Sequence, residues 1–334
     1  METQLIIANL ESIEKAADLL RSGEIVGIPT ETVYGLAGNA LDVSAVKKIF
    51  EAKGRPADNP LILHIADMEM LDLIAVNVSP LAKKLAEKFW PGPLTILFER
   101  KEIVPPITNG GLPTVAVRMP DNLLTLELIR SCGFPLAAPS ANTSGLPSPT
   151  NASHVFDDMN GKIPLILDGG SCKCGVESTV VALIGDGVRI LRPGAVTKEM
   201  LEKLCSVELD RTVLGSLAAD EKPLCPGTKY KHYSPRASVF IIEADDDNAF
   251  SDYVNALAGE NIIVLAKNPE TINKKTLPYG ESADEEASRL FASLRKADEL
   301  GAEKVYVRAP QKQGIGVAVY NRLLRAAAFN VIRI

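Results

Sequence analysis

Residues 53–64 read KGRPADNPLILH: two cations, two prolines and an amide set against a run of aliphatic residues. The aliphatic run predicts a short buried strand, and a cationic loop beside a strand end is where an α/β protein holds a phosphate or a carboxylate. Upstream, VSAVKKIFEAKG (43–54) reads as a helix with Ser44 near its start and Gly54 at its end. ESIEKAADLLRS (11–22) has helical apolar spacing at Ile13, Ala16, Ala17 and Leu20, and Gly23 stops it. Between these helices, EIVGIPT (24–30) reads as a short buried strand. Downstream, Ser79 caps and Pro80 opens a helix that ends at Pro-Gly-Pro (91–93). The strands LTILF, TVAVRM, PLAAPS, PLILDGG, STVVALI and VRILRPG follow. Several leave no room for a crossover helix, so the sheet is expected to be mixed.

From residue 206 the pattern loosens, and 213–237 is rich in turn residues. Strand and helix then alternate: SVFIIEA, a helix over 246–258, NIIVLA, a helix over 283–300, KVYVRA and a helix over 315–329. The expected organisation is a catalytic α/β domain over 1–205, a linker over 206–237, and a small three-layer parallel α/β (Rossmann-like) domain over 238–334.

The 334 residues carry a net charge of -6 and only 5% aromatics, which does not favour broad nucleic-acid binding. No apolar run approaches the roughly 20 residues needed to span a bilayer, and the N-terminal METQLIIANLESIEK lacks the pattern of a signal peptide, so a cytoplasmic location is expected. The five cysteines are an odd number, which argues against a disulfide framework. Cys172 and Cys174 stand closer than the usual zinc-ligand spacing and read as reduced structural thiols. With three histidines and no matching cluster, His64 does not read as a metal ligand. No P-loop occurs, and GIGVAV (314–319) has Val319 at the third glycine position of a dinucleotide fingerprint.

Six stretches put polar residues immediately beside short apolar strands: PTETVYGL (29–36), KGRPADNP (53–60), TVAVRMP (114–120), APSANTSGLPSP (138–149), GVESTVV (175–181) and ILRPG (190–194). Together they suggest one pocket. Lys53 and Arg55 suit anion binding, against the alternative of a solvated helix end. Arg118, inside VAVRM, needs either a ligand carboxylate or a buried ion-pair partner.

This set closely resembles the Sua5/YrdC family in its longer, two-domain Sua5 form. The resemblance runs through residues 10–205 and on through PGTKYKHYSP (226–235) into the C-terminal domain. Lys53-Gly54-Arg55 matches the family's Lys-x-Arg, and Ser140-Ala141-Asn142 its Ser-x-Asn. Thr228 replaces a Met usual in the linker.

The resemblance implies a YrdC-like twisted mixed sheet and a nucleotidyltransferase, an L-threonylcarbamoyladenylate synthase. It would make threonylcarbamoyl-AMP and pyrophosphate from ATP, bicarbonate and L-threonine. A tRNA threonylcarbamoyl transferase would then modify adenosine 37 of tRNA. The resemblance places charge stabilisation on Lys53 and Arg55. It places ATP on Arg55, Asn59, Thr114, Ser140, Asn142, Ser148 and Arg192, with Tyr230 or Tyr233 folding over it. It places threonine on Thr32, His64, Arg118, Ala138 and Ser178. Mg2+ is expected with ATP. The competing expectation is an RNA-binding YrdC-like module without synthase activity.

Overall fold

The computed structural model describes residues 2–57, 59–215, 225 and 232–334. The chain forms two compact units, one of residues 1–144 and 148–229, the other of 145–147 and 230–334.

The first unit is built on a twelve-stranded mixed sheet. Its strands lie in the order Gln4–Ile7, Leu165–Asp168, Val26–Ile28, Gly35–Asn39, Leu136–Ala137, Ile62–His64, Thr114–Arg118, Leu94–Arg100, Thr179–Ile184, Gly187–Arg192 and Ser206–Leu209, with Ala75–Val76 paired to Leu94–Arg100. The mixed character expected from the short connections is present. Ile62–His64 runs parallel to Thr114–Arg118 but antiparallel to Leu136–Ala137.

Local chemistry sets the helix ends. Helix Leu10–Arg21 is closed by a reciprocal capping box between Asn9 and Ser12, and it buries Ile13, Ala16, Ala17 and Leu20. Helix Val43–Lys53 takes Asp42 as its N-cap, one residue outside the Val43–Gly54 stretch, and ends at Gly54 with φ 59°. That left-handed turn sends KGRPADNP away from the helix axis. Ser79 and Pro80 open helix Pro80–Phe89 as expected.

Several elements lie outside the sequence expectation: strand Gln4–Ile7 and helices Met68–Ile74, Leu123–Cys132, Ala152–Met159 and Lys198–Glu202. The sheet also continues past residue 205. Ser206–Leu209 pairs in parallel with Gly187–Ile190 as an edge strand whose burial shows no alternation.

The second unit carries a five-stranded parallel sheet in the order Lys275–Pro278, Ile262–Ala266, Lys304–Arg308, Ser238–Glu243, Val331–Arg333. Helices Asp247–Ala256, Ala283–Glu299 and Gly316–Ala326 connect them. The alternation read from the sequence is present, with two further strands, Lys275–Pro278 and Val331–Arg333.

Gly194 marks a close approach in the first unit. A Cβ there would lie 2.4 Å from Thr179 N and 2.6 Å from Glu177 O. Gly194→Ala is therefore expected to cost about 1–3 kcal/mol through forced backbone shifts. Thermal unfolding checks this, and an unchanged midpoint would contradict it.

Candidate active site

Strands Ile62–His64 and Thr114–Arg118 pair with His64 opposite Arg118 and Ile62 opposite Ala116. Side chains alternate across a sheet, so Ile62 and His64 share a face with Thr114, Ala116 and Arg118. The other face, with Leu61, Leu63, Val115 and Val117, belongs to the main core. On the first face Ile62, Leu97, Ala116, Val180 and Leu191 form a separate apolar cluster, covered by Cys225. This floor has polar residues at both ends.

At the carboxyl end lies a buried cationic cluster. Arg118 is 3% exposed, and two nitrogens of its guanidinium are hydrogen-bonded while the third lies in an ion pair. Nε donates to Gly92 O (3.2 Å), Nη1 donates to Thr32 Oγ1 (2.9 Å), and Nη2 lies 2.5 Å from Glu31 Oε2. Both expected meanings of a strand arginine therefore stay chemically open. It has an ion-pair partner, and with five N–H groups it still has donors to offer. His64, beside it, is buried, and its Nδ1 has no partner among the described residues. Burial, and then the Arg118 charge, hold its imidazole down at about 3.

Ser178 joins the cluster through the neighbouring strands. Its Oγ lies 2.8 Å from Thr95 Oγ1, and Arg192 donates to its carbonyl (3.0 and 3.1 Å) and to its Oγ (3.2 Å). Ala138 N donates to Ile62 O (3.1 Å), which sets Ala138 against the His64 strand.

Lys53, Ser140 and Asn142 form a second group. Lys53 is 2% exposed, so it is not a solvated helix end. Its Nζ donates to the carbonyls of Ser140 and Asn142, while its own carbonyl accepts from Ser144 N (2.8 Å). A buried ammonium needs such acceptors, and these carbonyls fix the Ser140–Ser144 loop around it. The loop is held on its other side by Ala141 N donating to Tyr34 O (2.8 Å). Nearby in sequence, Ser148 Oγ donates to Glu177 Oε1 (2.5 Å).

Arg55, Asn59 and Thr114 gather at the amino end of the same strand pair. Arg55 Nη2 donates to the carbonyls of Asn59 and Pro60 (3.2 Å each). The Asn59 side chain is 1% exposed, and neither its Oδ1 nor its Nδ2 has a partner among the described residues. The six stretches therefore do not all sit at one edge. Some flank the carboxyl ends of the short strands and some the amino ends, with the apolar floor between. Thr114 to Arg118 spans about 13 Å of strand at roughly 3.3 Å per residue.

Tyr230 lies outside the described residues. Tyr233 belongs to the second unit, where its ring stacks on Phe291 (5.2 Å between centroids) beneath the Arg322 guanidinium. Sequence reasoning missed Glu31, Thr95 and the apolar floor. A glutamate between two threonines in PTETVYGL was the available signal for the first, and a hydroxyl inside LTILF for the second.

The fold and site define a mixed α/β protein with buried cationic and polar side chains gathered at both ends of a short strand pair. A family model described as "Telomere recombination" (Sua5_yciO_yrdC) matches residues 18–194, and one described as "Threonylcarbamoyl-AMP synthase, C-terminal domain" matches 196–328. The threonylcarbamoyl-AMP synthase of Pyrococcus abyssi is 42% identical over 99% of both chains. That of Bacillus subtilis is 42% identical over 99% of this chain and 97% of its own. A crystal structure of P. abyssi Sua5 complexed with L-threonine superposes with a TM-score of 0.93 at 40% identity, covering 100% of both chains. The chain belongs to the Sua5/YrdC family, in its two-domain form.

The His64 shift has a thermodynamic consequence. In the unfolded chain the imidazole titrates near 6.5, and in the folded protein at about 3. Between these values the unfolded state binds more protons, so this group makes stability fall as pH is lowered through that window. His64→Gln removes the effect. The difference in unfolding free energy between variant and wild type is expected to change by about 1.4 kcal/mol per pH unit there. Denaturant titrations across the window check this, and a pH-independent difference would contradict it.

Proposed function

We propose that this chain condenses ATP, bicarbonate and L-threonine into L-threonylcarbamoyladenylate and pyrophosphate. The supporting observation is the strip on one face of the His64–Arg118 strand pair: a buried arginine cluster at one end, an apolar floor, and a cationic, amide-bearing group at the other. Threonine's carboxylate is assigned to Arg118, and its side chain to Thr32, His64, Ala138 and Ser178. The deprotonated amine attacks the carbon of bicarbonate, forming the N–C bond with loss of water. The carbamate oxygen then attacks the α-phosphorus of ATP, and pyrophosphate leaves. Both reactants of the second step are anions, so cations must align and neutralise them. Lys53 and Arg55 are assigned this role. Asn59, Thr114, Ser140, Asn142, Ser148 and Arg192 are assigned to the nucleotide, and Tyr230 or Tyr233 to its cover.

Mg2+ is assigned to the triphosphate, where it offsets phosphate charge. Among the described residues no group of three His, Cys, Asp or Glu side chains gathers to cage a metal. This suits an ion that keeps most of its ligands on phosphate and water. Glu177 accepts a hydrogen bond from Ser148, one of the residues assigned to the nucleotide.

The product is assigned to a partner tRNA threonylcarbamoyl transferase that modifies adenosine 37. No described helix is long and apolar enough to cross a membrane. The buried free thiols of Cys132 and Cys172 suit the reducing cytoplasm, where we place the reaction.

The test is pyrophosphate release from ATP and Mg2+, with threonine and bicarbonate omitted in turn. Release is expected only with both present, and release without threonine would contradict the assignment. Arg55→Ala is expected to lower that release by about 100-fold or more while the protein stays folded. Wild-type turnover in the variant would remove Arg55 from its role.

A further inference from the structure

The Arg118 cluster contains a carboxylate that the reaction as assigned does not use. Glu31 is 5% exposed, and among the described residues neither of its oxygens has a directed hydrogen-bond partner. Oε2 forms an ion pair with Arg118 Nη2, which makes no directed hydrogen bond among those residues, and Oε1 has no partner there. A buried carboxylate so poorly satisfied is costly, and each such group calls for an explanation.

Among the described residues, the groups in contact with the Arg118 guanidinium besides Glu31 carry no charge, and the Arg192 cation stands further out, behind Ser178. His64 is held neutral by burial, and Cys172, next to Glu31 and Arg118, has its thiol pushed up to about 12. Thr30 and Thr32 contribute hydroxyls, and Gly92 a carbonyl. A cleft of about 500 Å3 is lined by Glu31 itself together with Asp121 and Lys173. Among the described residues in direct contact, the buried charge at this subsite is therefore one cation, Arg118, and one anion, Glu31.

That balance determines which ligand fits. A ligand that brings only a carboxylate to Arg118 leaves the cluster with a net negative charge, which burial penalises. A ligand that brings a carboxylate and an ammonium keeps it neutral. We propose that Glu31 makes the Arg118 subsite select a zwitterion, an α-amino acid, over the simple carboxylic acid of the same shape. The inference rests on the assignment of the threonine carboxylate to Arg118.

Replacing Glu31 by Gln keeps the shape and removes the charge. Arg118 and a lone carboxylate then balance, while a zwitterion leaves an excess cation. The preference is expected to fall and to move toward the simple acid.

The test is direct titration, without ATP, of L-threonine and of the 2-hydroxy acid of the same skeleton, in which a hydroxyl replaces the amine. Wild type is expected to prefer threonine. In Glu31→Gln the ratio of the two affinities is expected to fall at least tenfold, with hydroxy-acid binding tightened. Glu31→Asp, which keeps the charge, is expected to retain the threonine preference. Because the readout is a ratio of two ligands on one sample, a lowered folded fraction does not imitate the effect. An unchanged ratio in Glu31→Gln would overturn the proposal. Arg118→Gln separates this from the underlying assignment. If that variant binds threonine like wild type, the carboxylate assignment fails. If it loses threonine while Glu31→Gln keeps its ratio, only the role of Glu31 fails.

Discussion

A guanidinium buried in the middle of a sheet must be neutralised and given acceptors, or the fold around it is unstable. Arg118 meets this demand by drawing on chain segments far apart in sequence. Gly92 supplies a carbonyl, Thr32 a hydroxyl and Glu31 a charge. Strand pairing with Ile62–His64 adds the fourth constraint, because it sets His64 directly opposite. The loop after Val26–Ile28, the turn before Leu94–Arg100 and the central strands are thus tied to one side chain.

The short strands convert that constraint into a working surface. Ile62–His64 is three residues long, so both of its ends lie within reach of one elongated ligand. The carboxyl end carries the Arg118 cluster, and the amino end carries Arg55 and Asn59. Between them the apolar floor offers no competing polar group. Lys53 adds a second buried cation whose acceptors are backbone carbonyls. These carbonyls tie the Ser140–Ser144 loop to the Lys53 side chain.

Much of this was legible in the sequence because it rests on local signals. Gly54, the Ser79–Pro80 helix start and the strand alternation after residue 238 are properties of short windows. The Lys-x-Arg and Ser-x-Asn motifs pointed to the two groups that Lys53 joins. The partner of Arg118 was not legible, because Glu31 is brought to it only by tertiary structure. Lys275–Pro278 escaped notice because it offers a single aliphatic residue and ends in proline. Val331–Arg333 is three residues at the end of the chain, too short for a period to show. The placement of the polar stretches at both ends of the strands also depends on pairing, which no single stretch encodes.

The most direct measurement is the fate of labelled carbon. The protein is incubated with ATP, Mg2+, L-threonine and 13C-bicarbonate, and the nucleotide product is weighed by mass spectrometry. The account predicts an adenylate carrying both threonine and one labelled carbon. An adenylate of threonine without the label, or AMP alone, would contradict it.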